Sequence, residues 1–299
     1  MRAISWLVGE NCGLPLYNGC MTKPSRDTKI KGVVLAGGHG TRLRPMTRVT
    51  NKHLLPVYDR PMIHFPLESL SLAGVEEVLL VTGGNHPGDF VHLLGNGREF
   101  GFRELSYAFQ EGAGGIADAL RLAEDFADGQ PLAVMLGDNL IGSPISPFIA
   151  RFREQLAKNG GRGARIVVKE TADPERFGVA QFNDAEEITS IIEKPKNPVG
   201  RDAVIGLYFY DSQVFDIIRS LRPSDRGELE ITDVNRRYLT QGELGWSRLE
   251  GWWSDAGTVS SLYRASQLVA ERGANGGPPA REKHLDDVLP RSAHEVANQ

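Results

Sequence analysis

The chain reads as an open α/β fold, a twisted and mostly parallel β-sheet with helices on its faces. Three observations predict it. Short continuous apolar runs at residues 32–36, 77–82 and 132–136 lack the polar alternation of a half-exposed strand, as expected of strands covered on both faces. A helical pattern at residues 61–73 separates the first two runs, so the opening of the chain forms a β-α-β unit. Glycines follow the strand ends, at 37–40, 112–115 and 137, and right-handed crossover puts them at the carboxyl edge where such sheets bind ligands.

With 299 residues, 40% of them hydrophobic and 24% charged, the composition is that of a globular protein able to bury a large core. A formal charge of −4 gives no basic excess for a nucleic-acid partner, and no apolar run approaches the ~18 residues of a membrane span. Both cysteines, Cys12 and Cys20, precede the first strand. That excludes a disulfide framework or zinc site in the body of the chain and fits a reducing, cytoplasmic setting. Residues 1–29 make a poor secretory signal, because the apolar patch at 4–8 is cut short by Glu10. They are expected to lie outside the fold, and Met21 is an alternative start. Glycine, proline, alanine and charge dominate from residue 273, which predicts a mobile tail after a single domain at 30–272.

The first strand runs into Gly37, Gly38 and Gly40, which let the backbone take positive φ and offer several N–H groups to one anion. Arg42, Arg44 and Lys52 add phosphate-pairing cations, so the stretch is expected to cradle a polyphosphate. It is neither familiar phosphate loop: a dinucleotide fingerprint needs glycine at Leu43, and Gly-Lys-Ser/Thr is absent. The helix at 61–73 starts with proline and stops at Gly74, with Pro66 expected to bend it. After a strand at 103–109, Gln110 and the glycines at 112–115 open a helix at 116–126. The strand at 132–136 ends in Gly137-Asp138-Asn139, which sets a carboxylate beside the cradle, an oxygen donor suited to a hard divalent cation.

Next come a helix at 145–156, a loop at 160–163 and a strand at 164–169. A hairpin through 181–184 and 188–192 leads into Glu193-Lys194-Pro195. In the strand at 203–210, Gly206 and Tyr208 share a face by two-residue alternation and could line a pocket. Helices at 214–221, up to Leu239, and from Thr258 as cap to about 272 complete the reading.

The string L-A-G-G-x-G-T-R-L-x-P at 35–45, with Lys52-x-Leu54-Leu55-Pro56, resembles the signature of sugar-1-phosphate nucleotidylyltransferases, closest to the glucose-1-phosphate thymidylyltransferases. Leu-Gly-Asp-Asn at 136–139, Asp-Pro-Glu-Arg-Phe-Gly-Val at 173–179, Glu-Lys-Pro at 193–195, Arg-Gly-Glu-Leu-Glu-Ile-Thr-Asp at 226–233 and Trp-Ser-Asp-Ala-Gly-Thr at 253–258 carry it further. The resemblance implies a Rossmann-like sheet with a small sugar-binding β subregion. It implies transfer of a nucleotidyl group from a pyrimidine nucleoside triphosphate, dTTP first, to a sugar 1-phosphate, glucose 1-phosphate first, with Mg²⁺ as cofactor.

By the same resemblance Leu35, Gly37, Gly38, Gly40, Thr41, Gln110 and Gly115 bind the nucleotide, and Gly178, Glu193, Lys194, Gly206 and Tyr208 the sugar phosphate. Arg42, Lys52, Asp138 and Lys194 are the catalytic residues, and Asp138 and Asp255 the metal ligands. A homo-oligomer is implied too, although long-form members continue into helices, for tetramer packing and a regulatory nucleotide site, that this chain ends before. The chain departs from the pattern at Asp118, where thymidylyltransferases carry glutamine, and at Ile192, where they often carry glutamate; Ile192 is expected to point away from the ligand. UTP, CTP or another sugar phosphate remain alternatives, as does a non-catalytic sugar-nucleotide-binding regulatory protein. The joint presence of Arg42, Lys52, Asp138, Lys194 and Asp255 argues against the last.

Overall fold

Alternate residues of the first strand serve opposite layers: Val34 and Ala36 join one apolar cluster, Val33 and Leu35 the other. That is why its sequence is apolar throughout. The structure, a computed structural model, describes residues 29–84 and 86–277. The expectations for the leader through residue 28, including Cys12, Cys20 and Met21, and for the tail from 278, lie outside the described residues.

Element order is β1 (Lys31–Ala36), β2 (Pro56–Val57), β3 (Arg60–Pro61), α1 (His64–Leu72), β4 (Glu77–Gly83), α2 (Pro87–Leu94) and β5 (Glu104–Gln110). There follow α3 (Ile116–Arg121), α4 (Glu124–Ala127), β6 (Leu132–Leu136), β7 (Asn139–Ile141), α5 (Ser146–Lys158) and β8 (Ala164–Glu170). The second half holds β9 (Gly178–Phe182), β10 (Ile188–Glu193), β11 (Asp202–Tyr210), α6 (Val214–Ser220) and α7 (Ile231–Thr240). It ends with β12 (Leu244–Arg248), β13 (Trp253–Asp255) and α8 (Val259–Arg272).

The central sheet is mixed. Strands β6, β1, β4 and β5 lie side by side in parallel, as expected of the nucleotide half. Strand β11 then joins antiparallel to β6 and carries β9 and β10, which make the small subregion the sequence predicted. The pairing of β11 with β8 shifts register between Val204 and Tyr208, and over the same stretch β11 passes from β9 (at Ala203 and Val204) to β6 (at Leu207–Tyr210). A third cluster, including Leu43, Met62, Phe65, Leu262 and Val269, fastens α8 and the β2–β3 ribbon beneath the glycine turn. Filling each such site is worth about 1.5–3 kcal/mol per side chain. Thr258 caps α8 as expected: its Oγ1 accepts from Ser261 N at 3.1 Å, and its own N–H donates to Ser261 Oγ at 3.0 Å.

Several local expectations shift. The helix read at 61–73 starts at His64, which puts Pro66 in the first turn, where no intrahelical N–H is needed. The helix read at 116–126 is two pieces, α3 and α4. Helix α2 and strands β7, β12 and β13 carried no readable pattern; the two shortest, β7 and β13, exist by pairing with each other. Residues 273–277, which composition groups with the tail, stay packed: Asn275 N–H donates to Ile141 O at 2.9 Å and its Nδ2 to Phe65 O at 3.2 Å.

Candidate active site

The carboxyl ends of β1, β5 and β6 open on a cleft of about 640 Å³. Leu35, Gly37, Gly38, Gly40, Thr41, Arg42, Lys52, Gln110, Gly115, Asp138, Gly178, Glu193, Lys194, Gly206, Tyr208 and Asp255 all line it, whereas Arg44, expected among the cradle's cations, does not. Of the three glycines that follow β1, only Gly40, at φ 62°, needs glycine for its backbone conformation. Gly37 and Gly38 do not use the positive φ that glycine permits; there the missing Cβ makes room for neighbouring side chains. A Cβ at Gly37 would stand 2.5 Å from Gln110 Oε1, and one at Gly38 3.1 Å from Lys52 Cε. Beyond the turn, residues Thr41–Leu43 form one 3-10 turn that buries Leu43 and leaves Thr41 and Arg42 exposed to the cleft.

Beneath this turn lies a buried polar chain. Asn51 Nδ2 donates to Gly83 O at 3.1 Å, while its Oδ1 accepts from His53 N at 3.0 Å and lies 2.8 Å from His53 Nδ1. Since Asn51 Oδ1 can only accept, His53 carries its proton on Nδ1. Burial, reinforced by Lys52 and opposed by Asp138, lowers the imidazole pKa to about 3, so His53 is neutral.

Lys52 connects the glycine turn to the acidic side. Its Nζ lies 2.5 Å from Asp138 Oδ2, and Asn139 Nδ2 donates to Asp138 Oδ1 at 3.0 Å. Burial alone would raise the Asp138 pKa, but Lys52, His53 and these hydrogen bonds hold it well below the usual carboxylate range. Asp255 faces Asn139 across the β7–β13 ribbon, and Ala256 N–H donates to Asp138 O at 2.8 Å, so both carboxylates reach the cleft from one ribbon. Arg176 bonds Asp255 Oδ2 and Asp173 Oδ2, each at 2.5 Å. Burial nevertheless pushes Asp255 up to about 6, with Asp138 adding to the rise and Arg176 and Arg42 opposing it. A Cβ at Gly257 would fall 3.3 Å from Arg42 Nη2 and 3.4 Å from Asp255 Oδ2, so this glycine lets the arginine approach.

Among the described residues no three His, Cys, Asp or Glu side chains cluster as a self-sufficient metal site. Two carboxylates, one of them reluctant to ionise without a neighbouring cation, suit a hard divalent ion that takes its remaining oxygens from a phosphate ligand.

On the sugar side, Gly178 lets Thr232 and Glu193 close in: a Cβ there would be 3.0 Å from Thr232 Oγ1 and 3.4 Å from Glu193 Oε2. Thr232 Oγ1 donates to Glu193 Oε2 at 2.6 Å, Lys194 Nζ lies 3.2 Å from Glu193 Oε1, and Arg226 bonds both Glu193 and Glu230. Gly206 N–H donates to Asn139 Oδ1 at 2.9 Å, a contact that any Cβ at 206 would block. Ile192 is half-exposed and turns away from the cleft, as expected.

Sequence reasoning missed His53, Asn139, Arg176, Arg226 and Thr232, which also line the cleft. Arg176, Arg226 and Thr232 stand inside motifs already quoted, so a cation or hydroxyl within a sugar-side motif was the available signal. Asn51, which supports the cleft from below, carries no comparable sequence signal; its contact to Gly83 crosses 32 residues. No described helix is long and apolar enough to cross a membrane.

The profile of the family described as Nucleotidyl transferase matches residues 31–272. A glucose-1-phosphate thymidylyltransferase of Actinoplanes sp. is 44% identical over 243 residues, covering 80% of this chain and 78% of its own length. One from Neisseria meningitidis is 43% identical over 242 residues, covering 80% and 82%. Among solved structures, a Bacillus anthracis protein described as a candidate glucose-1-phosphate thymidylyltransferase in complex with sucrose superposes with TM-score 0.75 at 47% identity, over 80% of this chain and 94% of that one. A UDP-glucose pyrophosphorylase complexed with UDP-glucose gives TM-score 0.68 at 25% identity, over 80% and 98%.

Proposed function

Because the chain belongs to the nucleotidyl transferase family, we propose that it joins dTTP to glucose 1-phosphate, forming dTDP-glucose and releasing pyrophosphate. The observation that carries this reading is the continuity of one cleft. Lys52 touches both the glycine turn and Asp138, and Asp255 enters beside Asp138 from the paired strand.

The sugar-phosphate oxygen is already anionic, so the reaction needs no side-chain nucleophile and no general base. That oxygen forms a bond to the α-phosphorus while the bond from the α-phosphorus to the bridging oxygen of pyrophosphate breaks. The obstacle is repulsion between two anions and the charge that builds on the leaving group, which makes catalysis a matter of positioning and electrostatics.

The Gly37–Gly40 amides and Thr41 hold the triphosphate, and Arg42 stabilises the departing pyrophosphate. Lys52 and Lys194 bring the two phosphates into line. Gln110 and Gly115 receive the base, while Glu193, Gly178, Gly206 and Tyr208 surround the hexose. Mg²⁺ held by Asp138 and Asp255 would supply charge neutralisation at the α-phosphate. In this reading Lys52 and Arg176 are the cations that keep the two carboxylates compensated before substrates arrive.

A coupled pyrophosphate assay over four nucleoside triphosphates and several sugar 1-phosphates tests the proposal. Fastest release with dTTP and glucose 1-phosphate is expected. Release with no pair, or release that does not require the sugar phosphate, would overturn it.

A further inference from the structure

Asp118 departs from the family pattern inside the wall of the base subsite, and the structure gives it a job. Gln110 Nε2 donates to Gly115 O at 3.1 Å and to Asp118 Oδ2 at 2.8 Å. The other carboxylate oxygen, Asp118 Oδ1, accepts from Arg121 Nη2 at 3.0 Å, which fixes the acid in place. A carbonyl and a carboxylate both accept, so both hydrogens of the Gln110 amide are committed to the protein and its orientation is determined. Oε1 is left facing Gly37, where a Cβ would stand 2.5 Å away. Gln110 is buried, and a Cβ at Gly114 would lie 2.4 Å from Asp118 Oδ2, so glycines on both sides let the pair sit close.

We propose that Asp118 is a positioning residue for base specificity: by engaging Gln110 Nε2 it presents the incoming base with an acceptor only. A base edge then needs a ring N–H. Thymine and uracil supply it at N3, whereas cytosine has a bare N3 whose lone pair would face that of Gln110 Oε1. The lock selects the imide pyrimidines over cytosine and does not separate thymine from uracil. The inference rests on the dTTP-dependent transfer proposed above.

The test measures kcat/KM for dTTP, dUTP and dCTP, with glucose 1-phosphate in excess, for the native chain, Asp118→Asn and Asp118→Ala. Each is also checked by thermal unfolding. Asp118→Ala removes the acceptor and frees one Gln110 hydrogen, so there the dTTP:dCTP ratio should fall by about 10- to 100-fold, the change appearing in KM, with the dTTP:dUTP ratio unmoved; Asp118→Asn keeps an accepting oxygen and should retain most of the selectivity. A merely structural role for Asp118 would lower all three substrates together. An unchanged dTTP:dCTP ratio in Asp118→Ala overturns the proposal. Calorimetric binding of dTMP and dCMP to the native chain reads the same selectivity without turnover. Equal affinity for the two overturns the lock even if transfer from dTTP is intact. Selective dTMP binding with no pyrophosphate release supports the lock and overturns the transfer reading instead.

Discussion

Under the proposed function, the two halves of the cleft hold phosphates in opposite ways. The nucleotide side is built from backbone and fixed dipoles: a glycine turn, a neutral buried His53, and Gln110 clamped from both sides. The sugar side is built from charges that satisfy one another in the absence of substrate, with Arg226 on Glu193 and Glu230, Lys194 on Glu193, and Arg176 on Asp173 and Asp255. The first arrangement is ready before the ligand comes. The second must exchange partners, so part of each new ion pair is offset by the one it replaces. Nucleotide-side substitutions should therefore be costlier than sugar-side substitutions of the same kind.

The largest effect is expected where the halves meet. Asp138→Asn should abolish the response of activity to Mg²⁺ and lower turnover on the order of 10³-fold or more, with the fold retained. Full activity at ordinary Mg²⁺ would remove Asp138 from the metal site. Arg42→Ala, on the preorganised side, should lower turnover by about 10²- to 10³-fold, read as the rate of pyrophosphate release.

Protonation sharpens the contrast in stability. The His53 pKa is near 3 in the folded chain against 6.5 in the unfolded one, so the unfolded state takes up this proton first as pH falls. The stabilisation is complete above pH 6.5 and is lost progressively below it, by about 2 kcal/mol at pH 5. Asp255, raised to about 6, acts in the opposite sense by protonating first in the folded chain. Comparing His53→Gln with the native chain at each pH cancels that contribution. The variant's melting temperature should depend less steeply on pH between 6.5 and 4, and parallel curves would refute the assignment.

The smallest effect belongs to the sugar side. Arg226→Ala should raise KM for glucose 1-phosphate by about 10-fold and leave kcat nearly unchanged, because Arg226 gives up contacts to Glu193 and Glu230 when it turns to a ligand. If Arg226→Ala cut kcat as deeply as Arg42→Ala, the distinction between a ready half and an exchanging half would fail.

Local signals made much of this legible. Continuous apolar runs told of strands covered on both faces, glycines marked where the backbone is approached, and Asp138 followed a strand end that had to open on the cleft. Those patterns are properties of a few consecutive residues, so the chain states them wherever it is read. By itself the sequence thus determined the α/β class, the crevice edge and the chemical types gathered there.

Tertiary structure alone decided which group meets which. Asp255 comes beside Asp138 only because two three-residue strands, too short to carry a pattern, pair across more than a hundred positions of chain. Gly37 and Gly38 are small because Gln110 and Lys52 arrive from distant segments, and the Gln110 amide is oriented by an acid on the next helix. Such contacts depend on the summed geometry of the sheet, and no single stretch of residues contains that sum.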